Sequence, residues 1–188
     1  MTSGIEDLRS LLKERSLRLG DFTLASGRKS TYYVDARPTT MSAKGIEVIG
    51  RLGIDAVIEA GWEADCVGGL TLGADPVAYA IAVASLQTDM VLDGFTVRKQ
   101  AKGYGEKRRV EGGFAPGHRV VVVEDVITTG GSALDAAKAI EDEGGRVVGI
   151  LAVVDREEGG REKIEAAGYP VVALVPVTAL GVTPNPQA

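Results

Sequence analysis

Two adjacent acids, Glu124 and Asp125, close a run of valines, and Thr128, Thr129, Gly130, Gly131 and Ser132 follow almost at once. The whole segment reads VVVVEDVITTGGSALDAAKAI. Ionised carboxylates only accept hydrogen bonds, so a neighbouring pair suits the vicinal hydroxyls of a sugar. A Thr/Gly/Ser turn leading into a helix offers successive backbone N–H groups and the positive end of the helix dipole, which suits a phosphate. Glycine lets the backbone approach that phosphate closely, and the hydroxyls add donors. Side by side, the two devices describe a site for a ribose 5′-phosphate. The segment lacks the Gly-Lys-Ser/Thr of a nucleotide-binding P-loop and the G-x-G-x-x-G of a dinucleotide site. A plainer reading stays open: Thr and Ser are good helix caps, and the acids could simply end a strand.

A second cluster lies upstream. From Arg98 to Arg109 six of twelve residues are Lys or Arg, against one Glu. The surrounding stretch 100–113, QAKGYGEKRRVEGG, has four glycines and little to bury, which predicts a long mobile loop. A charge run of this kind is often only a solvated surface. The single cysteine, Cys66, excludes an intramolecular disulfide and reads as a buried small hydrophobe. The single histidine, His118, sits in a turn-like APGH and reads as a surface residue, so paired-histidine zinc sites are excluded.

Elements that position these residues follow from hydrophobic spacing. Ile5, Leu8, Leu11 and Leu12 predict an opening amphipathic helix. FTL and TYYVD flank a polar turn and predict a hairpin. Ser42 is placed to cap a helix bearing Ile46, Ile49, Leu52, Ala56 and Val57. DCVGGL reads as a buried strand, followed by a helix with Asp75 as cap and Pro76 at its first position. FTVRK is a further strand. RVVVVED lacks polar alternation, as a central parallel strand covered on both faces would. The helix SALDAAKAIEDEGG ends at Gly144–Gly145, RVVGILAVVD and PVVALVPV are strands with the short helix GREKIEAAG between them, and the tail VTPNPQA reads as loose. Strands alternating with helices predict an α/β fold with a mainly parallel sheet, in a single domain spanning 1–188. The 188 residues and 45% hydrophobic content suit one such domain.

With these residues in view, EDVITTGGS resembles the phosphoribosyl pyrophosphate (PRPP) signature of type I phosphoribosyltransferases. Three further segments make the chain similar to the orotate phosphoribosyltransferases. FTLASGRKSTYYVDAR carries Phe22, Ser26, Gly27, Ser30, Tyr33 and Asp35 in that family's order; VRKQAKGYGE resembles its catalytic loop; and Arg156, in VVDREEGG, matches its orotate-binding arginine. The resemblance implies a central sheet flanked by helices, a small N-terminal hood over about residues 1–40, and a mobile catalytic loop over about 100–113. It implies transfer of the phosphoribosyl group from PRPP to orotate, with Mg2+ held mainly through PRPP rather than by side chains. Lys102 would stabilise the leaving pyrophosphate, with Arg98 and Lys99 beside it and Tyr104 at the same ligand. Glu124 and Asp125 would hold the ribose hydroxyls, Asp125 as a catalytic group. Thr128, Thr129, Gly130, Gly131 and Ser132 would hold the 5′-phosphate, with Val126 and Ile127 also among the PRPP-binding residues. Arg156, Thr128, Arg28 and Tyr33 would meet orotate. The resemblance also implies a homodimer in which each loop reaches the partner's site.

The chain departs from the family's pattern in three places: Leu72 and Ala25 stand where many members have lysine, and Tyr104 where many have histidine. Arg28, Lys29, Lys107 and Arg108 are candidate replacements. Gly69, Thr71 and Gly73 still offer backbone N–H groups in a loop that often holds a cis peptide in this family. Two rivals remain: a transferase for another base, and a PRPP-sensing regulator without catalysis. A net charge of −5 argues against nonspecific nucleic-acid binding. No run reaches the roughly 18 apolar residues of a membrane span, and the charged N-terminus does not read as a signal peptide, so the expected location is the cytoplasm.

Overall fold

The computed structural model describes residues 2–23, 27, 29–100 and 108–185. Helix α1 (Thr2–Arg15) buries Leu8 and Leu12 completely. Strands β1 (Leu17–Thr23) and β2 (Lys29–Val34) then form an antiparallel two-stranded sheet, pairing Leu17 with Val34 at one end and Thr23 with Lys29 at the other, with a register shift between Leu19 and Phe22. In β2 the inward side chains are Ser30, Tyr32 and Val34. A short helix α2 (Arg37–Thr40) leads to α3 (Ala43–Glu59), whose first turn is capped as expected: Ser42 Oγ accepts the Gly45 N–H at 3.0 Å.

The main sheet has six strands: β3 (Cys66–Leu70), β4 (Asp93–Val97), β5 (Val110–Gly112), β6 (Arg119–Ile127), β7 (Arg146–Asp155) and β8 (Val171–Pro176). Their order is β5-β4-β3-β6-β7-β8, all neighbours parallel except β5 against β4. Helices α4 (Ala74–Ser85), α5 (Gly131–Asp142) and α6 (Gly160–Ala166) connect the parallel strands, and a 3-10 turn (Val177–Leu180) follows β8. The valines of β6 show why the strand lacks polar alternation. Val121 and Val123 pack with α1, α3 and α4, whereas Val120 and Val122 pack with α5 and α6. Both faces are covered there, so Val120 to Val123 are all apolar.

Several expectations need correction. Asp75 does not cap α4, because the helix begins at Ala74 with Gly73 before it. Pro76 is therefore the third helical residue, where its missing N–H still removes no intrahelical bond. The stretch 100–113 is not a loop to its end: Val110 to Gly112 pair with β4, and Val110 is buried. Its polar flank is satisfied by Glu143 Oε1, which accepts from the backbone N–H of Arg109 and Val110. Residues 101–107, with Lys102, Tyr104 and Lys107, lie outside the described residues. The tail is not wholly loose, since Asn185 bonds to Ser30 and Glu158. His118 is half-buried rather than on the open surface, with its ring edge-on to Phe114 and Nδ1 accepting from the Ala115 N–H. Cys66 is fully buried, and burial pushes its thiol up to about 12. Among the described residues no helix is long and apolar enough to cross a membrane.

Candidate active site

The sheet opens between β3 and β6. Their pairing stops at Gly68 opposite Val122, while β6 continues along β7 as far as Ile127 opposite Asp155. Beyond β3 the chain enters α4 on one face of the sheet; beyond β6 it enters α5 on the other. That divergence is a topological switch point, where ligands of open α/β sheets bind. A cleft of about 390 Å³ lies there, reached by Leu72 and Gly73 after β3, Lys99 after β4, Glu124, Asp125, Thr128 and Ser132 from β6 and α5, and Arg156 after β7. Tyr33, Asp35 and Arg37 cover it from the end of the hairpin. Glu124 and Asp125 thus do not end their strand; they stand where β6 has lost its β3 neighbour.

The two acids are electrostatically distinct from ordinary surface carboxylates. Glu124 is 7% exposed, and its Oε1 is buried without a hydrogen-bond partner among the described residues. Burial, and secondarily the neighbouring Asp125, push its carboxyl up to about 8. Asp125 is also raised, chiefly by burial, against the hydrogen bond its Oδ1 accepts from the Val126 N–H at 2.9 Å. Of the two, only Glu124 has a buried carboxylate oxygen without a donor among the described residues.

Next to them the Thr/Gly turn forms its own small cavity of about 80 Å³, bounded by Glu124, Thr128, Thr129, Gly130, Gly131 and Ser132. Gly130 precedes α5 with φ 72°, a left-handed conformation that glycine adopts without penalty. A side chain there would also meet Gly160 O at 2.7 Å. The first N–H groups of a helix have no partner within it, so a cavity at the start of α5 has the chemistry to cradle an anion. Glu124, Val126, Thr128 and Ser132 border both cavities, so the turn and the cleft adjoin.

Across the gap, Gly73 lies against Asp125: a Cβ at Gly73 would stand 2.6 Å from Asp125 Oδ1. Asp75 holds this wall. Thr71 Oγ1 donates to its Oδ2 and Thr96 Oγ1 to its Oδ1, both at 2.7 Å. The Tyr79 hydroxyl donates in turn to Thr96 Oγ1 at 2.9 Å, since the Thr96 proton is already committed. The Thr71–Leu72 peptide is cis, and Leu72 is exposed.

Arg156 comes from a turn held at many points. Its N–H donates to Ile127 O at 3.0 Å. Glu157 takes a left-handed φ of 54°, a strain of about 1–3 kcal/mol for a non-glycine residue. Asp155 Oδ1 accepts its N–H at 2.8 Å, and its own Oε2 accepts the Thr178 N–H at 2.9 Å. The Arg156 side chain is buried, with its guanidinium 5.1 Å from the centroid of the Tyr32 ring.

The other candidates divide. Lys99, Tyr33, Val126, Thr128 and Ser132 line the cleft. Thr129, Gly130, Gly131 and Ile127 border the cradle. Arg98 is not brought in: its Nη1 donates to Glu111 Oε1 at 3.3 Å across the β4–β5 pair. Lys29 donates to Thr23 Oγ1 within the hairpin rather than lining the cleft. Arg28, Ala25, Lys102 and Tyr104 lie outside the described residues. Sequence reasoning missed Arg37, which grips Asp35 in a two-pronged bond, Nε to Oδ1 and Nη2 to Oδ2 at 2.8 Å each. This partner holds the Asp35 carboxyl below its usual range. The DAR triplet after the second hairpin strand was the available signal. Among the described residues no group of three or more His, Cys, Asp or Glu side chains converges to hold a metal.

Cleft, cradle and doubly wound sheet define the phosphoribosyltransferase class of α/β proteins. The family model described as "Phosphoribosyl transferase domain" matches residues 46–186. An orotate phosphoribosyltransferase of Aquifex aeolicus is 49% identical over 178 residues, covering 93% of this chain and 96% of that protein. Among solved structures, Mycobacterium tuberculosis orotate phosphoribosyltransferase in complex with Fe(III) dicitrate matches with a TM-score of 0.85 and 45% identity, covering 95% and 99% of the two chains. A structure of the same enzyme in complex with PRPP matches with a TM-score of 0.81 and 42% identity, over 95% and 99%. The chain belongs to the orotate phosphoribosyltransferase family.

Proposed function

We propose that this protein transfers the phosphoribosyl group of PRPP to orotate, giving orotidine 5′-monophosphate and pyrophosphate on the route to pyrimidine nucleotides. The observation that carries the reading is a pair of adjoining cavities in which a buried acid, Glu124, and the half-buried Asp125 stand between a helix-start turn on one side and a buried arginine on the other. A sugar phosphate needs the first pairing, and a carboxylated base the second.

In the reaction the deprotonated ring nitrogen of orotate forms a bond to the anomeric carbon as the bond from that carbon to pyrophosphate breaks. Positive charge gathers on the ribose and negative charge on the departing group, so catalysis is mainly orientation and charge stabilisation. Thr128 to Ser132 hold the 5′-phosphate. Glu124 and Asp125 accept from the ribose hydroxyls, and Asp125 balances the developing ribosyl cation. Arg156 pairs with the orotate carboxylate, a planar contact suited to its fork, and Tyr33 and Arg28 cover the base. Lys99 and Lys102 meet the pyrophosphate, Arg98 joining them only by leaving Glu111. Arg37, paired with Asp35, adds a guanidinium on the hood side of the cleft, in a chain that has Leu72 where many members of the family have lysine. Mg2+, carried by PRPP oxygens, would neutralise charge on the pyrophosphate; the oxygen-rich cleft, and a Glu124 Oε1 without a partner among the described residues, suit such a ligand–metal complex better than a side-chain cage.

We assign the functional form as a homodimer in which Lys102 acts in the partner's site, and its compartment as the cytoplasm. The homodimer is supported by an exposed apolar groove between α3 and α4, bearing Met41, Ile46, Tyr79 and Val83, on the helix that starts at the cleft. The test is loss of orotate absorbance on mixing with protein, PRPP and Mg2+, omitting each in turn. Loss only in the complete mixture supports the transferase. Absence of any change alongside intact PRPP binding would transfer the assignment to another base or to a sensor.

A further inference from the structure

Glu158 lies two residues beyond the base-binding arginine, fully buried through its side chain, and outside the lining of the cleft. Its Oε1 receives three donors from three separate parts of the chain. Arg156 Nη2 donates at 2.8 Å, the Tyr32 hydroxyl of β2 at 3.0 Å, and Asn185 Nδ2 of the C-terminal tail at 2.9 Å. Asn185 also donates to Ser30 Oγ at 3.0 Å, so the tail bridges the hood to the turn after β7.

Burial of an ion pair by itself contributes little to stability, because desolvation offsets most of the attraction. This pair does something more specific. With Nη2 fixed on Glu158 and the guanidinium face against the Tyr32 ring, the plane of Arg156 has no freedom to turn. Its Nε is buried and has no partner among the described residues. Arg156 lines the cleft, so the orientation that Glu158 and Tyr32 impose on its guanidinium is the one an acceptor arriving there meets.

We propose that Glu158 is a positioning residue for base recognition: clamped by Tyr32 and Asn185, it sets the orientation in which Arg156 meets the carboxylate of the base. The inference rests on the orotate reading above. Loss of the clamp leaves Arg156 charged but free to rotate, so recognition of the base suffers while the sugar-phosphate half of the site, built on β6 and α5, does not.

The test is steady-state kinetics of Glu158→Ala, with folding checked by urea denaturation. The orotate KM is expected to rise on the order of 10- to 100-fold, with kcat and the PRPP KM changed less than about 3-fold. Glu158→Gln keeps an acceptor oxygen and is expected to recover part of the loss. In an Arg156→Ala background, Glu158→Ala is expected to add less than about 2-fold, because it acts through the missing arginine. An unchanged orotate KM in folded Glu158→Ala, or fully additive losses in the double variant, overturns the proposal. Should Glu158→Ala not fold, Tyr32→Phe and Asn185→Ala each remove one clamp donor and are expected to raise the orotate KM several-fold; unchanged values in both overturn it equally. A wild-type protein that does not consume orotate defeats the function itself, whereas an active wild type matched by Glu158→Ala defeats only the role of Glu158.

Discussion

Glu124 makes the stability of the ligand-free protein depend on pH in a direction opposite to that of most carboxylates. Its carboxyl titrates near 8 in the folded chain, against the usual 4.5, chiefly because it is buried. An acid of this kind binds more protons folded than unfolded, so its contribution is intact below about 4.5, declines as pH rises, and is fully lost above about 8. The gap between those values sets a ceiling of roughly 5 kcal/mol. Access of water to the open cleft lowers this, and about 2 kcal/mol is the working expectation. Glu124→Gln cannot ionise. Its stability relative to wild type is therefore expected to climb by about 2 kcal/mol between pH 5 and pH 9. Urea unfolding followed through Trp62, the only tryptophan and a buried one, measures this directly. Asp125 and Asp155 are raised as well, but they are common to both proteins and largely cancel in the difference. Stability curves of wild type and Glu124→Gln that run parallel from pH 5 to 9 would refute the reasoning.

Lys102→Ala is expected to lower kcat by about 100- to 1000-fold while PRPP affinity stays within a few-fold, because its contact strengthens as pyrophosphate departs; equal losses in single-turnover and binding experiments would remove that role. Arg156→Ala is expected to raise the orotate KM by about 100-fold with the PRPP KM nearly unchanged, as measured by initial rates. Gly73→Ala should leave folding intact, since its φ of −64° and ψ of −42° suit alanine. Its new Cβ would nevertheless start 2.6 Å from Asp125 Oδ1, and relief of that clash moves the carboxylate or the loop by several tenths of an ångström. A fall of about 10- to 100-fold in kcat/KM for PRPP is expected, and wild-type kinetics would show that the two groups do not meet.

Much of the site was legible because it is written in contiguous residues. The acids, the Thr/Gly turn and the start of α5 form one segment, and local chemistry alone points to a sugar phosphate. What could not be read were contacts between distant segments. Asp75 reads as a cap because a capping position and a cross-loop acceptor look alike in sequence; only the fold shows Thr96 arriving from β4. Val110 reads as loop in the sequence because its charged neighbours hide the edge pairing with β4. The clamp on Arg156 joins residues 30, 32, 158 and 185, and nothing local connects them. The end of β6 was misplaced by two residues for a related reason: β6 loses one neighbour at Val122 and keeps the other to Ile127, so its two edges end at different places.

The bonds around Asp75 bear on the entropy of binding. Thr71 is tied to α4, α4 to β4 through Thr96, and Thr96 to Tyr79, so the loop from Thr71 to Gly73 is fixed before any ligand arrives. Ordering three free residues would take about 1–2 kcal/mol each from the binding free energy. On this wall that penalty has already been met by folding. Ligand affinity there depends on the fit between rigid surfaces, and substitutions that loosen Asp75 should weaken binding without removing a single contact to the ligand.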